Sequence, residues 1–353
     1  MLKNLVVIEL ASVLAGPDVG MFFAELGARV IKIENKTTDG DVTRTWKLPS
    51  ENKNVKVSAY FASVNWNKES IFLDLKNKQD INKIYELVKE ADIVIANYKK
   101  GDDIKLKIDY KTLKKINPHL IYGSITGFGS LDKRVAFDLV LQAESGFMSM
   151  NGTPESGPVK LPVAIIDVIA AHQLKEGILL ALLKREKENK SYLVEVSLYD
   201  AAISALKNQA SNWLMNNEIP QALGSLHPNI APYGEIFSTK DNKQIVLAIG
   251  SDTQFNHLLE IIEAKEILKN KLYSNNLLRV KNRKQLFLDL VPYFKKFSQT
   301  KLMKLLINNN IPIGAIKNLK EVFEEKSAQN LINEEIVEGI LTKRVKTAIF
   351  KIS

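Results

Sequence analysis

Leu5-Val6-Val7-Ile8-Glu9-Leu10 is a short apolar run that is followed by the loop Ala11-Ser12-Val13-Leu14-Ala15-Gly16. Pro17 then opens a helical pattern that stops at Gly27, and Arg29-Val30-Ile31-Lys32-Ile33-Glu34 is a second apolar run. Proline suits the first turn of a helix, because its missing N–H would have no partner there. This stretch therefore predicts a strand, a loop, a helix and a second strand.

Further strand patterns follow at Ile71 to Leu75, Asp92 to Ala96 and Leu120 to Ile125. Helical segments precede the last two, and another helical pattern runs from Gln173 to Arg185. Strands that alternate with helices form βαβ units and a parallel sheet. We therefore expect an α/β fold whose large domain holds an open, mostly parallel, Rossmann-like sheet. Ligands of such sheets bind beyond the carboxyl ends of the strands.

The second half of the chain changes character, because the segments 216–220 and 224–234 are rich in helix breakers. A strand pair at Tyr233 to Ser238 and Gln244 to Ile249 then precedes amphipathic helices. This predicts a smaller α+β domain, and the residues from about Ile336 are expected to return as strands to the first domain. The predicted limits are 1–210 together with 330–353 for the large domain, 225–325 for the small domain and 211–224 for the linker.

The composition favours a soluble, cytoplasmic enzyme. The chain has 353 residues and no cysteine, which excludes disulfides and thiolate ligands. Its net charge of +9 comes from 49 basic residues scattered among 40 acidic ones. No basic stripe interleaved with aromatics is present, so we expect no nucleic-acid partner, although a small phosphorylated ligand fits the charge. No segment approaches the ~20 apolar residues that cross a bilayer, so no membrane association is expected.

Several common catalytic and cofactor motifs are missing. Glu34 follows the second strand, where an acid could hold a ribose, but Gly16 and Gly20 do not have the spacing of the dinucleotide fingerprint, so NAD is rejected. There is no Walker motif and no Gly-x-Ser-x-Gly elbow, which argues against the common nucleotide hydrolases and serine hydrolases. We expect no metal, because the four histidines lack metal-ligand spacing; they are His119, His172, His227 and His257.

Asp167 is the only charged residue in the apolar run from Leu161 to Ala171. Burial would strip water from this carboxylate and raise its pKa, which prepares a carboxylate for covalent chemistry. The alternative is structural: an aspartate at the start of a helix commonly accepts the free backbone N–H groups. Position alone favours the capping role, because helix caps far outnumber catalytic acids.

An ordered set of segments carries a family resemblance along nearly the whole chain. The segments are Ala15-Gly16-Pro17, 26–34, Gly40-Asp41-Val42-Thr43-Arg44, 67–71, Leu73-Asp74-Leu75-Lys76, 91–98, 117–122, Gly127-Phe128-Gly129, 142–146, 194–201 and His227-Pro228-Asn229-Ile230-Ala231-Pro232-Tyr233. Each segment alone is weakly diagnostic, but their order is specific. The sequence resembles the family III CoA-transferases, the family of formyl-CoA, carnitine and bile-acid CoA-transferases.

The resemblance implies an acyl-CoA:carboxylate CoA-transferase with coenzyme A as co-substrate and Asp167 as the nucleophile. In the family mechanism this carboxylate forms an acyl anhydride and then an aspartyl-CoA thioester, with ping-pong kinetics as one signature. Backbone N–H groups beside Asp167 could stabilise the oxyanions. The resemblance also implies a homodimer of interlocked chains that acts on acyl-CoA and carboxylic acid substrates.

The resemblance further implies a set of CoA-binding positions. Lys36 and Lys105 fall where the family usually has arginine, which keeps the charge but loses bidentate phosphate geometry. The positions that carry over are Val13, Leu14, Ala15, Lys36, Leu73, Lys76, Asn97, Tyr98, Lys105 and Arg134.

Three departures from the family pattern leave alternatives open. Lys99-Lys100 replaces a common Arg-Pro, and no glycine-rich lid of the formyl-CoA transferases occurs around 224–232. The 2-methylacyl-CoA racemases share the fold and use a histidine where this chain has Phe137, which cannot shuttle a proton. Transfer is therefore favoured, with a racemase-like CoA-thioester isomerase or a non-catalytic acyl-CoA-binding protein as the alternatives.

Overall fold

A computed structural model of the chain describes residues 1–129 and 131–352, which fall into two compact units. The first unit comprises 1–148, 160–220 and the residues from 327 onward. The second comprises 149–159 and 221–326. The domain and linker limits given above stay a prediction. Among the described residues, no helix is both long and apolar enough to cross a lipid bilayer.

The first unit is built on a six-stranded sheet whose paired strands are all parallel. Its strands are β1 (Val6–Glu9), β2 (Arg29–Asn35), β3 (Lys68–Leu73), β4 (Ile93–Ala96), β5 (Ile121–Thr126) and β6 (Tyr192–Ser197). Their spatial order is β3-β2-β1-β4-β5-β6, the doubly wound order of dinucleotide-binding folds. The predicted α/β, Rossmann-like class is confirmed.

Alternate side chains of these strands point to opposite faces of the sheet, and each face has its own core. Val7 and Ile93 pack on one face with helix residues such as Leu174. Ile8 and Val94 pack on the other face. Because both faces are covered, the strands are continuous apolar runs rather than alternating ones.

Helices of the first unit cover both faces of the sheet. The predicted first helix ends where expected, since Gly27 takes a positive φ of 95° just past it. The helices are α1 (Ala15–Glu25), α2 (Ala59–Ser63), α3 (Lys78–Lys89), α4 (Asp102–Lys105), α5 (Tyr110–Ile116), α6 (Asp138–Glu144), α8 (Ile165–Glu188), α9 (Leu198–Ala205) and α10 (Lys207–Asn216). Between α6 and α8 lies the single turn α7 (Phe147–Met150).

The second unit has a three-stranded antiparallel sheet in the order β7-β8-β9. Its strands are β7 (Tyr233–Ser238), β8 (Gln244–Ala248) and β9 (Ile313–Ala315). Its helices are α11 (Asp252–Ile261), α12 (Lys265–Lys269), α13 (Asn276–Lys281), α14 (Arg283–Phe294), α15 (Gln299–Asn308) and α16 (Leu319–Phe323). The chain then passes through α17 (Lys326–Gln329). The predicted α+β character of this part is confirmed.

Some element positions differ from the sequence-based expectation. The third strand lies at β3, three residues before the apolar stretch that predicted it, because Lys68 and Glu69 pair with β2 despite their charge. The C-terminal strands β10 (Ile332–Val337) and β11 (Ile340–Val345) form in the first unit, as expected, and pair with each other in a separate antiparallel hairpin.

Candidate active site

The strand order of the sheet changes direction between β1 and β4, which is the topological switch point. A crevice lies at the carboxyl ends of these two strands. Two cavities of about 420 and 230 Å³ lie there. They are adjacent, because both are lined by Ser12 from the loop after β1 and by Asn97, Tyr98 and Lys99 from the loop after β4. This is the position at which α/β sheets of this topology bind ligands.

The smaller cavity contains Asp167, which the sequence singled out. The loop after β1 supplies Val13, Leu14 and Ala15 to the same wall. The segment that leads into α6 supplies Arg134 and Phe137. The fold therefore brings Asp167 together with residues that are far away in the sequence.

Asp167 occupies the first turn of α8, and the residue is only 9% exposed. The residue before the helix, Ala164, has no side chain that could cap it. Asp138 takes that role instead, because its Oδ1 accepts the backbone N–H of Ile166 at 2.8 Å. Its Oδ2 accepts the amide of Gln142 at 2.6 Å. No described residue donates a hydrogen bond to the Asp167 carboxylate.

The electrostatic setting of Asp167 favours its neutral form. Burial, followed by the negative charge of Asp138, raises the pKa of Asp167 to about 7. The structural alternative, in which Asp167 itself accepts free N–H groups at the start of the helix, is not met, because Asp138 accepts the N–H of Ile166. With this pKa, an appreciable fraction of the Asp167 side chains is ionised only near neutral pH and above.

Tyr60 is a neighbour that no sequence motif indicated. Burial, followed by the negative charges of Asp167 and Asp138, raises the pKa of Tyr60 to about 12, so its hydroxyl keeps its proton at neutral pH. Its ring meets Trp46 edge to face, with centroids 5.0 Å apart. Neither α2, which carries Tyr60, nor the turn around Trp46 has a periodic pattern that marks a site.

The larger cavity lies beyond the ends of β2 and β3. Lys76 and Lys99 supply basic side chains to its wall. Thr37 and Thr38 line it from the turn that follows β2. A cavity with these donors and cations can hold phosphate groups.

Three of the predicted CoA-binding residues do not line either cavity. Leu73 is 3% exposed and belongs to the hydrophobic core. Lys36 is exposed, although its neighbours in the turn face the cavity. Lys105 is exposed and its ammonium is paired with Asp102 at 2.9 Å. Periodicity could not separate these side chains from their cavity-lining neighbours, since they differ by one position.

Buried ion pairs lie beneath the loop after β1. Lys32 contacts Glu9 at 2.8 Å and Asp41 at 3.1 Å, and all three side chains are at most 1% exposed. Arg44 binds both carboxylate oxygens of Glu34 at 2.7 Å. Glu34, which lies in β2, is thus paired with Arg44, so its carboxylate is not free to hold a ribose. Among the described residues, no group of three or more histidines and acids is arranged to hold a metal ion.

Comparison with known proteins agrees with this geometry. The family model described as CoA-transferase family III matches residues 2–348. The chain belongs to CoA-transferase family III. Among relatives, a succinate–glutarate CoA-transferase of Agrobacterium fabrum is 34% identical over 358 residues, covering 99% of this chain and 88% of its own. A succinyl-CoA:glutarate CoA-transferase of Homo sapiens is 34% identical over 327 residues, covering 92% of this chain and 73% of its own.

The fold of this family III member is also found in a solved structure. The crystal structure of a CAIB/BAIF family protein from Brucella suis superposes with a TM-score of 0.85 at 34% identity. The match covers 99% of this chain and 92% of that one. These relatives support a role as a CoA-transferase in general terms, with CoA thioesters as co-substrates.

The raised pKa of Asp167 predicts a pH-dependent cost to stability. An unfolded aspartate titrates at about 3.9, so between that pH and about 7 the folded protein holds a proton that the unfolded chain has lost. The free energy of unfolding therefore falls as pH rises through this window. Asp167→Asn should be more stable than wild type by about 2–4 kcal/mol at pH 8, with the gain shrinking toward pH 4. Urea denaturation at several pH values measures this, and a gain independent of pH would contradict it.

Proposed function

We propose that the protein transfers CoA from an acyl-CoA thioester to a carboxylic acid, with Asp167 as a covalent nucleophile. The observation that carries the proposal is a buried carboxylate that receives no hydrogen bond from the described residues, in a cavity at the switch point of the sheet. Its oxygens are not tied to a structural partner, so they remain available to attack a carbonyl carbon.

The reaction balances through four attacks. The Asp167 carboxylate attacks the thioester carbonyl, which gives an acyl–aspartyl anhydride and the CoA thiolate. The thiolate attacks the side-chain carbonyl of Asp167, which gives an aspartyl-CoA thioester and releases the donor carboxylate. The acceptor carboxylate then attacks the aspartyl-CoA thioester, which gives an acceptor–aspartyl anhydride and releases the CoA thiolate. The thiolate finally attacks the acyl carbon of the acceptor, which gives the new acyl-CoA and frees the Asp167 carboxylate. Each step keeps an activated acyl bond, so no energy source beyond the thioester is needed.

The surroundings of Asp167 suit this chemistry. A pKa of about 7 leaves a useful ionised fraction at neutral pH, and the loss of hydration makes the ionised oxygens more reactive. Phe137 supports transfer over racemisation, because an aromatic ring lining this cavity cannot accept the α-proton of a thioester.

A covalent adduct tests the mechanism directly. Incubation with succinyl-CoA, acidic quenching and digestion should give a mass increase on the peptide that contains Asp167. Asp167→Ala should lose the adduct and lower kcat by a factor on the order of 10³ or more, as expected for a missing nucleophile. Asp138→Asn should keep the adduct, because the nucleophile remains, and should move the pH dependence of kcat to lower pH, because the negative charge that raises the pKa of Asp167 is removed.

Three outcomes would contradict this proposal. Turnover without an adduct on that peptide would refute the covalent intermediate. Exchange of the α-proton of an acyl-CoA in deuterated water would favour the isomerase instead. A protein that binds acyl-CoA but turns over no donor and acceptor pair would be the non-catalytic binding protein.

We further propose that the acids exchanged are small dicarboxylates, because the two relatives are named for succinate and glutarate, which belong to that class. Arg134 supplies a cation to the cavity of Asp167. Its guanidinium stacks over Phe128 at 3.6 Å and pairs with Asp132 and Glu144 at 3.0 and 2.9 Å. No described residue accepts a hydrogen bond from its Nη2, which is free to bind the distal carboxylate of a substrate.

Arg134→Gln tests this assignment of substrate class. We expect the KM for succinate or glutarate as acceptor to rise about tenfold or more, because a charge-assisted hydrogen bond is lost. The KM for butyrate, which lacks the second carboxylate, should stay near that of wild type. An equal rise for both acids would contradict the assignment. A rise confined to the KM of the acyl-CoA would place Arg134 at a CoA phosphate instead.

The proposal includes a homodimer. Exposed apolar side chains on α8 and α10 support it, among them Leu180 (63% exposed), Leu183 (60%), Leu214 (78%) and Met215 (79%). Apolar surfaces of this kind mark contacts between chains. Sedimentation equilibrium should give twice the mass of one chain, and Leu180→Lys with Leu183→Lys should shift the protein toward the monomer. A single monomeric species at micromolar concentration would contradict the dimer.

A further inference from the structure

Residues 11–13, which follow β1, have their backbone held by side chains. The side-chain amide of Asn97 makes two hydrogen bonds to the backbone of Ser12. Its Oδ1 accepts the Ser12 N–H at 3.0 Å, and its Nδ2 donates to the Ser12 carbonyl at 2.7 Å. Lys32 donates to the carbonyl of Ala11 at 2.9 Å. The first contact joins the loop to the residue after β4 and the second joins it to β2, so the loop is attached to the sheet at two places.

Val13 is the strained member of this loop. Its φ is 71°, a left-handed conformation that is unfavourable for a β-branched residue. The Asp41 carboxylate accepts its N–H, with Oδ2 at 3.2 Å. Such a conformation persists only where the surroundings fix it, and Asp41 supplies the fixing contact.

Asp41 is itself anchored below the surface. Its side chain is 1% exposed, although the residue contributes to the wall of the larger cavity. Its Oδ1 accepts both the N–H and the hydroxyl of Thr43, at 3.0 and 2.8 Å. Lys32 lies 3.1 Å from its Oδ2 and links it to Glu9. The carboxylate contacts Val13, Thr43 and Lys32, so its hydrogen bond to the loop after β1 runs through the backbone of Val13.

We propose that Asn97 and Asp41 are positioning residues for CoA, which hold residues 11–13 as a preformed wall of both cavities. This inference rests on the proposed function for the identity of the ligand. It also changes the role of Asn97, since the amide that the sequence assigned to CoA contact has its oxygen and one donor engaged by Ser12. Holding the loop in advance avoids the entropy cost of ordering it when CoA binds.

Calorimetric titration of the full chain with free CoA tests the proposal. Asn97→Ala should weaken CoA binding about tenfold, the scale expected when one or two backbone residues must be ordered on binding. Asn117→Ala is the matched control: that buried amide also holds backbone, donating to the carbonyls of Val88 and Ala91 at 2.9 and 2.7 Å, but it lines neither cavity. Both variants should lower the Tm, and only Asn97→Ala should weaken CoA binding.

A double-mutant cycle separates positioning from direct contact. Asp41→Asn should also weaken CoA binding, and the double variant with Asn97→Ala should weaken it by clearly less than the product of the single effects, because both release the same loop. Independent, multiplicative effects would overturn the inference and make Asn97 a direct ligand. If Asn97→Ala does not fold, Asn97→Ser, whose hydroxyl is too short to span both groups of Ser12, replaces it with the same expectation.

The two proposals fail in distinguishable ways. Wild-type protein that binds no CoA would overturn the proposed function and this inference with it. Wild-type binding together with unchanged affinity in Asn97→Ala would overturn only the positioning role. Equal loss of affinity in Asn97→Ala and Asn117→Ala would likewise reduce Asn97 to general structural support.

Discussion

The ammonium of Lys32 lies between two carboxylates in the centre of the first unit, 2.8 Å from Glu9 and 3.1 Å from Asp41. Burial opposes its charge, but Glu9 and Asp41 outweigh burial and raise the pKa of Lys32. Removing one partner from such a buried pair costs about 3–5 kcal/mol, because an uncompensated charge remains. Glu9 ends β1 and Asp41 follows β2, so this one cation ties both strand ends to the loop that lines the crevice.

The same contacts constrain the packing around them. The second oxygen of Glu9 lies 2.7 Å from the ammonium of Lys68, whose pKa burial lowers to about 8. Gly20 of α1 leaves room for this oxygen, since a Cβ there would come within 1.9 Å of it. The first helix can therefore approach the sheet only because its sequence has a glycine at that point. Gly20 thus allows α1 to pack on the sheet while Glu9 keeps its contact with Lys68.

Asp41 and Asp167 are two buried carboxylates of the first unit whose different surroundings suit one to a structural role and the other to a chemical role. Asp41 contacts Lys32 and accepts hydrogen bonds from Val13 and Thr43, so its oxygens are fully engaged. Asp167 has no such partner among the described residues, and burial together with Asp138 raises its pKa. The first carboxylate is suited to holding a loop. The second is suited to attacking a carbonyl, which is why the proposed transfer assigns the covalent role to Asp167.

The sequence by itself determined the alternation of strands and helices, the parallel sheet, the loop after β1 and the isolated Asp167, because apolar periodicity and breaker residues act over short distances. It placed β3 three residues too late, since charged side chains can pair at a sheet edge without an apolar signal. Only the tertiary structure decided that Leu73 lies in the core, that Asn97 binds Ser12, and that Asp138 rather than Asp167 caps α8. Those outcomes depend on desolvation and on partners from distant segments, and neither can be obtained from local sequence.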